Sequence, residues 1–160
     1  MFKIGDYITH PMHGAGVIES IVTKKINGSQ RDYYVLKLPV GDMVVMVPVS
    51  GCEDIGVRSI ISRSEAEKLF SAFSEIEISM TQNWNKRYRE NMDKIKSGNL
   101  LDVASVVKGL MCRDSERGLS TSERKMLHSA KQILIPELVI ATDMDYDGVE
   151  KRLCAALKEG

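Results

Sequence analysis

The chain has 160 residues, of which 43% are hydrophobic and 28% charged. This composition is that of a globular protein, and the length allows one domain or two small ones. No run approaches the ~18 consecutive apolar residues that a membrane-spanning helix needs. The first residues, MFKIGDYITHP, lack the apolar core of a signal peptide. We therefore expect a cytoplasmic protein.

The charges are balanced in number but unevenly distributed along the chain. There are 22 Lys and Arg against 22 Asp and Glu, yet residues 80–135 carry eleven basic against six acidic side chains, a net of +5. A local basic face is the electrostatic signature of a phosphate-binding surface. A basic run is also common on a solvated helix, so charge alone leaves both interpretations open.

The first 60 residues predict five short antiparallel strands. Segments rich in Val, Ile, Tyr and Thr alternate with turn formers such as Asn27-Gly28 and Val40-Gly41-Asp42. Asn27-Gly28 predicts a type I′ hairpin, which needs positive φ at both central residues. The predicted strands are residues 6–10, 16–25, 32–38, 43–48 and 56–60. Together they indicate a small, strongly twisted barrel of Tudor or SH3 type, whose closure leaves few free edges.

From residue 62 onwards the hydrophobic period becomes helical. Ser64 with Glu67, and Ser120 with Glu123, form the capping-box pattern that begins a helix, and Asn99 is a further N-cap. The first predicted helix begins near residue 64. Four more helices are predicted at residues 83–96, 100–111, 121–140 and 147–157. We expect an α+β protein with a barrel at residues 1–62 and an all-α domain of about five helices at residues 63–160. No Pro/Gly linker separates the two parts, so they should touch.

Two patterns that could indicate a metal site are weak. Asp143, Asp145 and Asp147 match the start of a calcium-binding EF-hand loop, but Cys154 stands where that loop needs a bidentate Glu. Helix capping explains the same acidic residues, which leaves calcium-dependent regulation as a minor alternative. His10 and His13 are three residues apart in a turn without zinc-finger spacing.

Enzymatic chemistry has no support in the sequence. Cys52, Cys112 and Cys154 are scattered without a C-x-x-C pair, which fits reduced thiols. Neither a nucleophile elbow, a Walker loop nor a dinucleotide fingerprint occurs. We expect a protein that is not an enzyme and that uses no cofactor, metal or small-molecule substrate.

The only tryptophan lies at the start of a predicted helix among basic residues. Trp84 shares one helix face with Tyr88, whereas Lys86, Arg87 and Arg89 point elsewhere. Such an aromatic residue suits a wedge against a base, with the cations on phosphates. Alternatively Trp84 anchors a hydrophobic core. The residue types leave both open.

The sequence resembles the CarD/CdnL family of bacterial transcription regulators, in order along nearly the whole chain. The matching stretches are FKIGD (2–6), HPMHG (10–14), DYYVLK (32–37), Asn83-Trp84, Arg87-Tyr88, Ser97-Gly98, RDSERGLS (113–120), ERKML (123–127) and AKQIL (130–134). The resemblance implies a Tudor-like N-terminal domain that binds the RNA polymerase β subunit, as does a related module of the transcription-repair coupling factor. It also implies a helical domain that contacts promoter DNA at the upstream fork of the transcription bubble, where a tryptophan wedge stabilises the open complex.

The resemblance also implies roles for individual residues. Trp84 matches the wedge, and the basic positions of the DNA face are matched by Lys86, Arg87, Arg89 and Arg124. Lys24 and Met46 match strand positions used in polymerase contact. Met46 replaces an arginine found in other members, which removes a charge from that contact, although an edge strand can still pair through its backbone.

Two other functions fit the same sequence. SH3-like barrels occur in translation proteins, so an RNA- or ribosome-binding module is the main alternative. The second is a plain protein–protein adaptor whose basic helix is only a solvated surface and contacts no DNA.

Overall fold

A computed structural model describes residues 2–39, 43–77 and 83–159. Within them, five strands precede five helices. The strands are β1 (Tyr7–His10), β2 (Gly14–Ile26), β3 (Ser29–Lys37), β4 (Val44–Pro48) and β5 (Arg58–Ser59). The helices are α1 (Arg63–Glu75), α2 (Trp84–Lys96), α3 (Leu100–Arg117), α4 (Thr121–Thr142) and α5 (Tyr146–Glu159). The predicted α+β class and the number of helices are confirmed, while the predicted turn at Val40-Gly41-Asp42 lies outside the described residues.

The strands form one antiparallel sheet in the order β4-β3-β2-β1-β5. Asn27 and Gly28 close the β2–β3 hairpin with φ of 50° and 81°, which confirms the predicted positive φ at both positions. A register shift between Ile18 and Ser20 marks an irregularity in β2, of the kind that increases local twist. The inner face buries Ile8, Ile18, Tyr34, Leu36 and Val47.

The sheet is barrel-like but not closed, contrary to the expected closure. Among the described residues β5 pairs only with β1, and β4 only with β3, so both are edge strands. The physical reason is the length of β5, which has only two residues. Its Arg58 side chain is instead bound to helix α4.

Helix α1 begins two residues earlier than predicted. The N-cap is Ser62, not Ser64, because the sequence SRSEAE contains the capping-box pattern twice in overlapping register. The Glu65 N–H donates to Ser62 Oγ over 3.1 Å, and the Glu65 carboxylate accepts from the Ser62 N–H. Glu67, the expected capping partner, forms an ion pair with Arg152 of α5.

Helix α4 joins the sheet to the helical part. Pro136 lies inside this helix, and since proline has no N–H, it cannot donate to the carbonyl of Gln132. That carbonyl lies against Gly14, where a Cβ atom would be only 2.8 Å from the oxygen. Gly14 also has φ of 83°, so both its backbone conformation and this close approach require glycine.

Glu137 forms the polar link between the sheet and α4. Its carboxylate is fully buried and accepts two hydrogen bonds from Arg58, at 2.8 and 3.1 Å. It also accepts the backbone N–H of Ile61 over 2.8 Å. These bonds confirm that the two parts of the chain touch.

Substitution of Glu137 tests how much this link contributes to stability. Glu137→Gln should lower the free energy of unfolding by about 1.5–3 kcal/mol, the range for hydrogen bonds to charged groups. The control is Glu150→Gln, since the Glu150 side chain is 37% exposed and pairs with Lys131. That variant should lose under about 1 kcal/mol. Equal, small losses in urea denaturation would contradict a stabilising role for Glu137.

Candidate nucleic-acid interface

Helix α2 presents one face to the protein interior. Its N-cap is Asn83, whose side chain accepts the N–H of Lys86 over 3.0 Å. Its buried residues, Arg87, Asn91 and Ile95, recur every four positions. Because four residues make slightly more than one helical turn, they form a single stripe that faces α3 and α4.

Trp84 and Tyr88 form an exposed aromatic platform beside that buried stripe. Trp84 is 42% exposed and Tyr88 36%. Their rings are stacked, with centroids 5.3 Å apart and an interplanar angle of 19°. The interpretation of Trp84 as a core anchor is therefore wrong: the indole packs on a neighbour of the same helix and stays open to solvent.

Three of the four cations implied as DNA contacts are exposed. Lys86 and Arg89 lie on α2, two and five positions after Trp84, and Arg124 lies in the first turn of α4. Aromatic and basic groups thus occur together at the N-terminal ends of two helices that contact each other. This combination can offer a flat surface for a base and cations for phosphates.

Arg87 is different, and its prediction as a DNA-facing cation needs correction. Its side chain is 3% exposed, and its Nε donates to the Glu123 carboxylate over 3.1 Å. The physical reason is its position on the buried stripe of α2, together with an acidic partner 36 residues away in the sequence. Arg87 therefore joins α2 to α4 and presents no charge to the surface.

The Glu123 carboxylate is the centre of a small buried charge cluster. Arg113 Nε lies 3.6 Å from the same Glu123 oxygen, and it is buried without a hydrogen-bond partner among the described residues. Ser120 is the N-cap of α4 as predicted, and its Oγ accepts the Glu123 N–H over 3.2 Å. A carboxylate in the first helical turn is also favoured by the helix dipole. The sequence indicated the cap but gave no sign of the two arginines.

Lys24 and Met46 lie on the same outer face of the sheet. Lys24 pairs with Arg31, and Met46 pairs with Val35 on the same strand β3. Since Tyr34 points into the core, its neighbours in β3 point outwards. Met46 is 38% exposed and lies on the edge strand β4.

The free edge of β4 includes the backbone of Met46. The Val49 N–H donates to Asp32 O, and the Leu38 N–H donates to Met43 O. Because hydrogen-bonded pairs alternate in an antiparallel ladder, the N–H of Met46 is directed away from β3. That group is available to another strand.

Comparisons with known proteins cover both parts of the chain. Residues 2–61 match the family described as CarD-like/TRCF RID domain, and residues 68–154 match CarD, C-terminal domain. The chain belongs to the CarD/CdnL family. It is also 38% identical over 140 residues to a Bacillus subtilis (strain 168) protein named "Putative transcription factor YdeB". The aligned region covers 88% of this chain and 92% of that protein. The predicted resemblance is thereby confirmed.

Membership in the CarD/CdnL family gives the general function of the chain, which is in transcription. The chain is a CarD-like transcription factor, and the family consists of transcription regulators rather than a known class of enzymes. The first match is the Tudor-like domain. None of the described helices is long and apolar enough to cross a bilayer.

The acidic and histidine patterns have local structural roles in this CarD-like chain. Asp145 Oδ1 accepts the Gly148 N–H over 2.7 Å at the start of α5, which confirms the capping interpretation for that residue. Asp143 ends α4 with φ of 60°. His10 Nδ1 accepts the Met12 N–H over 3.0 Å, and burial together with the neighbouring His13 lowers the pKa of His10.

Proposed function

We propose that this chain acts in the cytoplasm as a regulator that holds RNA polymerase and promoter DNA together in the open complex. Its sheet binds the polymerase β subunit, and Trp84 wedges at the upstream fork of the bubble. The observation that supports this proposal most strongly is the exposed Trp84–Tyr88 stack at the start of α2, a helix that also carries the exposed cations Lys86 and Arg89. Family membership supports the polymerase partner.

The effect on transcription follows from differential binding. Tyr88 stacks on one face of the Trp84 indole, and the indole, 42% exposed, can still offer aromatic surface to a base. A base at the fork offers its face only where duplex stacking is already broken, so the contact favours the open promoter. A factor shifts such an equilibrium by its difference in affinity for the two states and by no more. One stacking contact of ~1–3 kcal/mol changes the open-to-closed ratio about five- to 150-fold.

The cations hold the backbone near that base. Lys86 and Arg89 are exposed on the helix that carries Trp84, and Arg124 is exposed in the first turn of α4. Three such charges neutralise few phosphates, so binding to DNA without polymerase is weak and independent of sequence. The polymerase contact raises the effective concentration of this weak DNA surface at the fork.

The polymerase contact uses the outer face and the edge of the sheet. Met46 offers an exposed thioether and an outward N–H on β4, and Lys24 lies on the same outer face. An exposed edge strand can add a strand from a partner through its backbone, with side chains providing specificity. Val44 is 54% exposed on the same strand, and it extends this apolar edge.

Two substitutions on the sheet test the polymerase contact in the full chain. Lys24→Glu and Met46→Pro should each weaken polymerase binding at least about tenfold, because one reverses a charge and the other removes the outward N–H. The matched control is Lys25→Glu, which makes the same charge change on the opposite face of β2. Affinities for the isolated β subunit provide the measurement. If Lys25→Glu weakened binding as much as Lys24→Glu, or Met46→Pro had no effect, the assigned surface would be wrong.

A further inference from the structure

A groove opens beside the aromatic platform, between α2, α4 and the turn that joins β1 to β2. Its volume is about 410 Å³, within the range of about 300–1,000 Å³ that is typical of small-ligand sites. Tyr88 is one of its lining residues. Since Tyr88 also stacks on Trp84, the groove adjoins the proposed wedge through this shared ring.

The floor of the groove is apolar and suits a flat ring. Met92 and Met126 line it from α2 and α4, and Ile133 lies further along α4. Thioethers and aromatic rings are polarisable groups that pack well against other aromatic systems. The floor therefore offers favourable contacts to an unstacked nucleobase.

The rim of the groove is basic. Lys96 lies at the end of α2, Lys125 and His128 lie on α4, and His13 lies in the β1–β2 turn. None of the described residues that line the groove is an Asp or a Glu. The lining is thus complementary to an anion that carries a flat apolar ring, which describes a nucleotide.

We propose that this groove, the rim-lysine groove, holds an unstacked nucleotide of the promoter strand next to the wedge. The proposal rests on the proposed function, because the continuity between Tyr88 and Trp84 selects DNA at the fork as the source of that nucleotide. An acidic peptide with an apolar side chain is the competing occupant, and the polymerase-binding measurement below distinguishes it from DNA. The groove would thereby extend the contact from the fork into the melted strand.

A coupling experiment tests the base contact in the complete transcription complex. Promoter templates carry one abasic nucleotide at successive positions beside the fork, and the open-complex half-life is measured with and without the protein. With the wild type, removal of the base that enters the groove should reduce the protein's stabilisation at least about fivefold. With Ser129→Phe, which fills the groove from an exposed position on α4, the same abasic site should have no further effect.

The controls separate the groove from the wedge. Ala155→Phe places the same ring on an exposed position of α5 outside the groove and should behave like the wild type. Trp84→Ala should shorten the half-life on every template while it keeps the abasic effect at the groove position. If no position loses its base dependence in Ser129→Phe, the rim-lysine groove is not a nucleotide site. If Ser129→Phe weakens polymerase binding instead, the occupant is protein and the proposal is overturned. An unchanged half-life with Trp84→Ala would refute the wedge alone.

Discussion

Truncation of Arg87 to alanine should lower the free energy of unfolding by about 3 kcal/mol. This is the lower end of the range for a broken buried ion pair, in which the remaining charge has lost its partner. The Arg87 and Glu123 side chains are 3% and 6% exposed, so water cannot replace the lost contact. The loss stays at the lower end because Arg113 remains 3.6 Å from the same carboxylate. Urea denaturation, with the slope checked for constancy, gives the value.

Two comparisons show whether the loss comes from the ion pair. Lys86→Ala removes an exposed cation from the adjacent position and should change stability by no more than about 0.5 kcal/mol. The double variant Arg87→Leu with Glu123→Leu removes both charges of the pair and should recover part of the loss, since apolar replacements of buried pairs are often neutral. The recovery stays partial because Arg113 then loses its acidic neighbour. A single-variant loss below about 1 kcal/mol would show that the pair is not structurally important.

Arg87 also affects function, as a positioning residue. It lies three positions after Trp84 and fixes the first turns of α2 against α4. Without this anchor the wedge and the cation Arg124 would no longer keep a fixed separation. Under conditions where the variant is folded, Arg87→Ala should therefore shorten the open-complex half-life without weakening polymerase binding, which depends on the sheet.

Local patterns in the sequence predicted most of the elements. The hairpin at Asn27-Gly28 and the caps at Asn99 and Ser120 depend on neighbours a few residues away, and the structure has all three. Helix α1 shows the limit of such patterns, because Ser62 and Ser64 match the capping box equally well. Ser62 is the N-cap in the structure, and Glu67 of the other pattern pairs instead with Arg152 of α5, which is remote in sequence.

The site was harder to predict than the fold, and the reason is again distance along the chain. Lys86, Arg87 and Arg89 look equivalent in the sequence, since each is a cation on an amphipathic helix. Among the described contacts of these three cations, that of Arg87 reaches a buried carboxylate, and this carboxylate is 36 residues away. In an amphipathic helix the charged side chains are expected on the solvent-exposed face, so the sequence pattern predicts all three cations to be exposed. Burial of a charge can therefore be recognised only when its partner in the fold is known.

Replacement of Trp84 by alanine should shorten the open-complex half-life about five- to 150-fold, the equivalent of one base-stacking contact of ~1–3 kcal/mol. Trp84→Phe and Trp84→Tyr should each keep part of the effect, because both retain an aromatic face. Folding should be nearly unchanged, since the indole is 42% exposed and contacts the exposed ring of Tyr88. Affinity for polymerase should also be unchanged, because the assigned polymerase surface lies on the sheet.

A thermal melt and an open-complex half-life measurement on the same variants together show whether Trp84 acts as a wedge or as a structural residue. The matched control is Leu101→Ala on α3, which truncates another apolar side chain of similar exposure, 48%, and should affect neither quantity. A structural Trp would lose ~3–5 kcal/mol of stability on truncation, and every activity would then fall in parallel. If Trp84 is a wedge, its truncation leaves the melting temperature near the wild-type value and shortens the open-complex half-life. A large drop in melting temperature, or an unchanged half-life in a folded variant, would remove the basis for placing Trp84 at the fork.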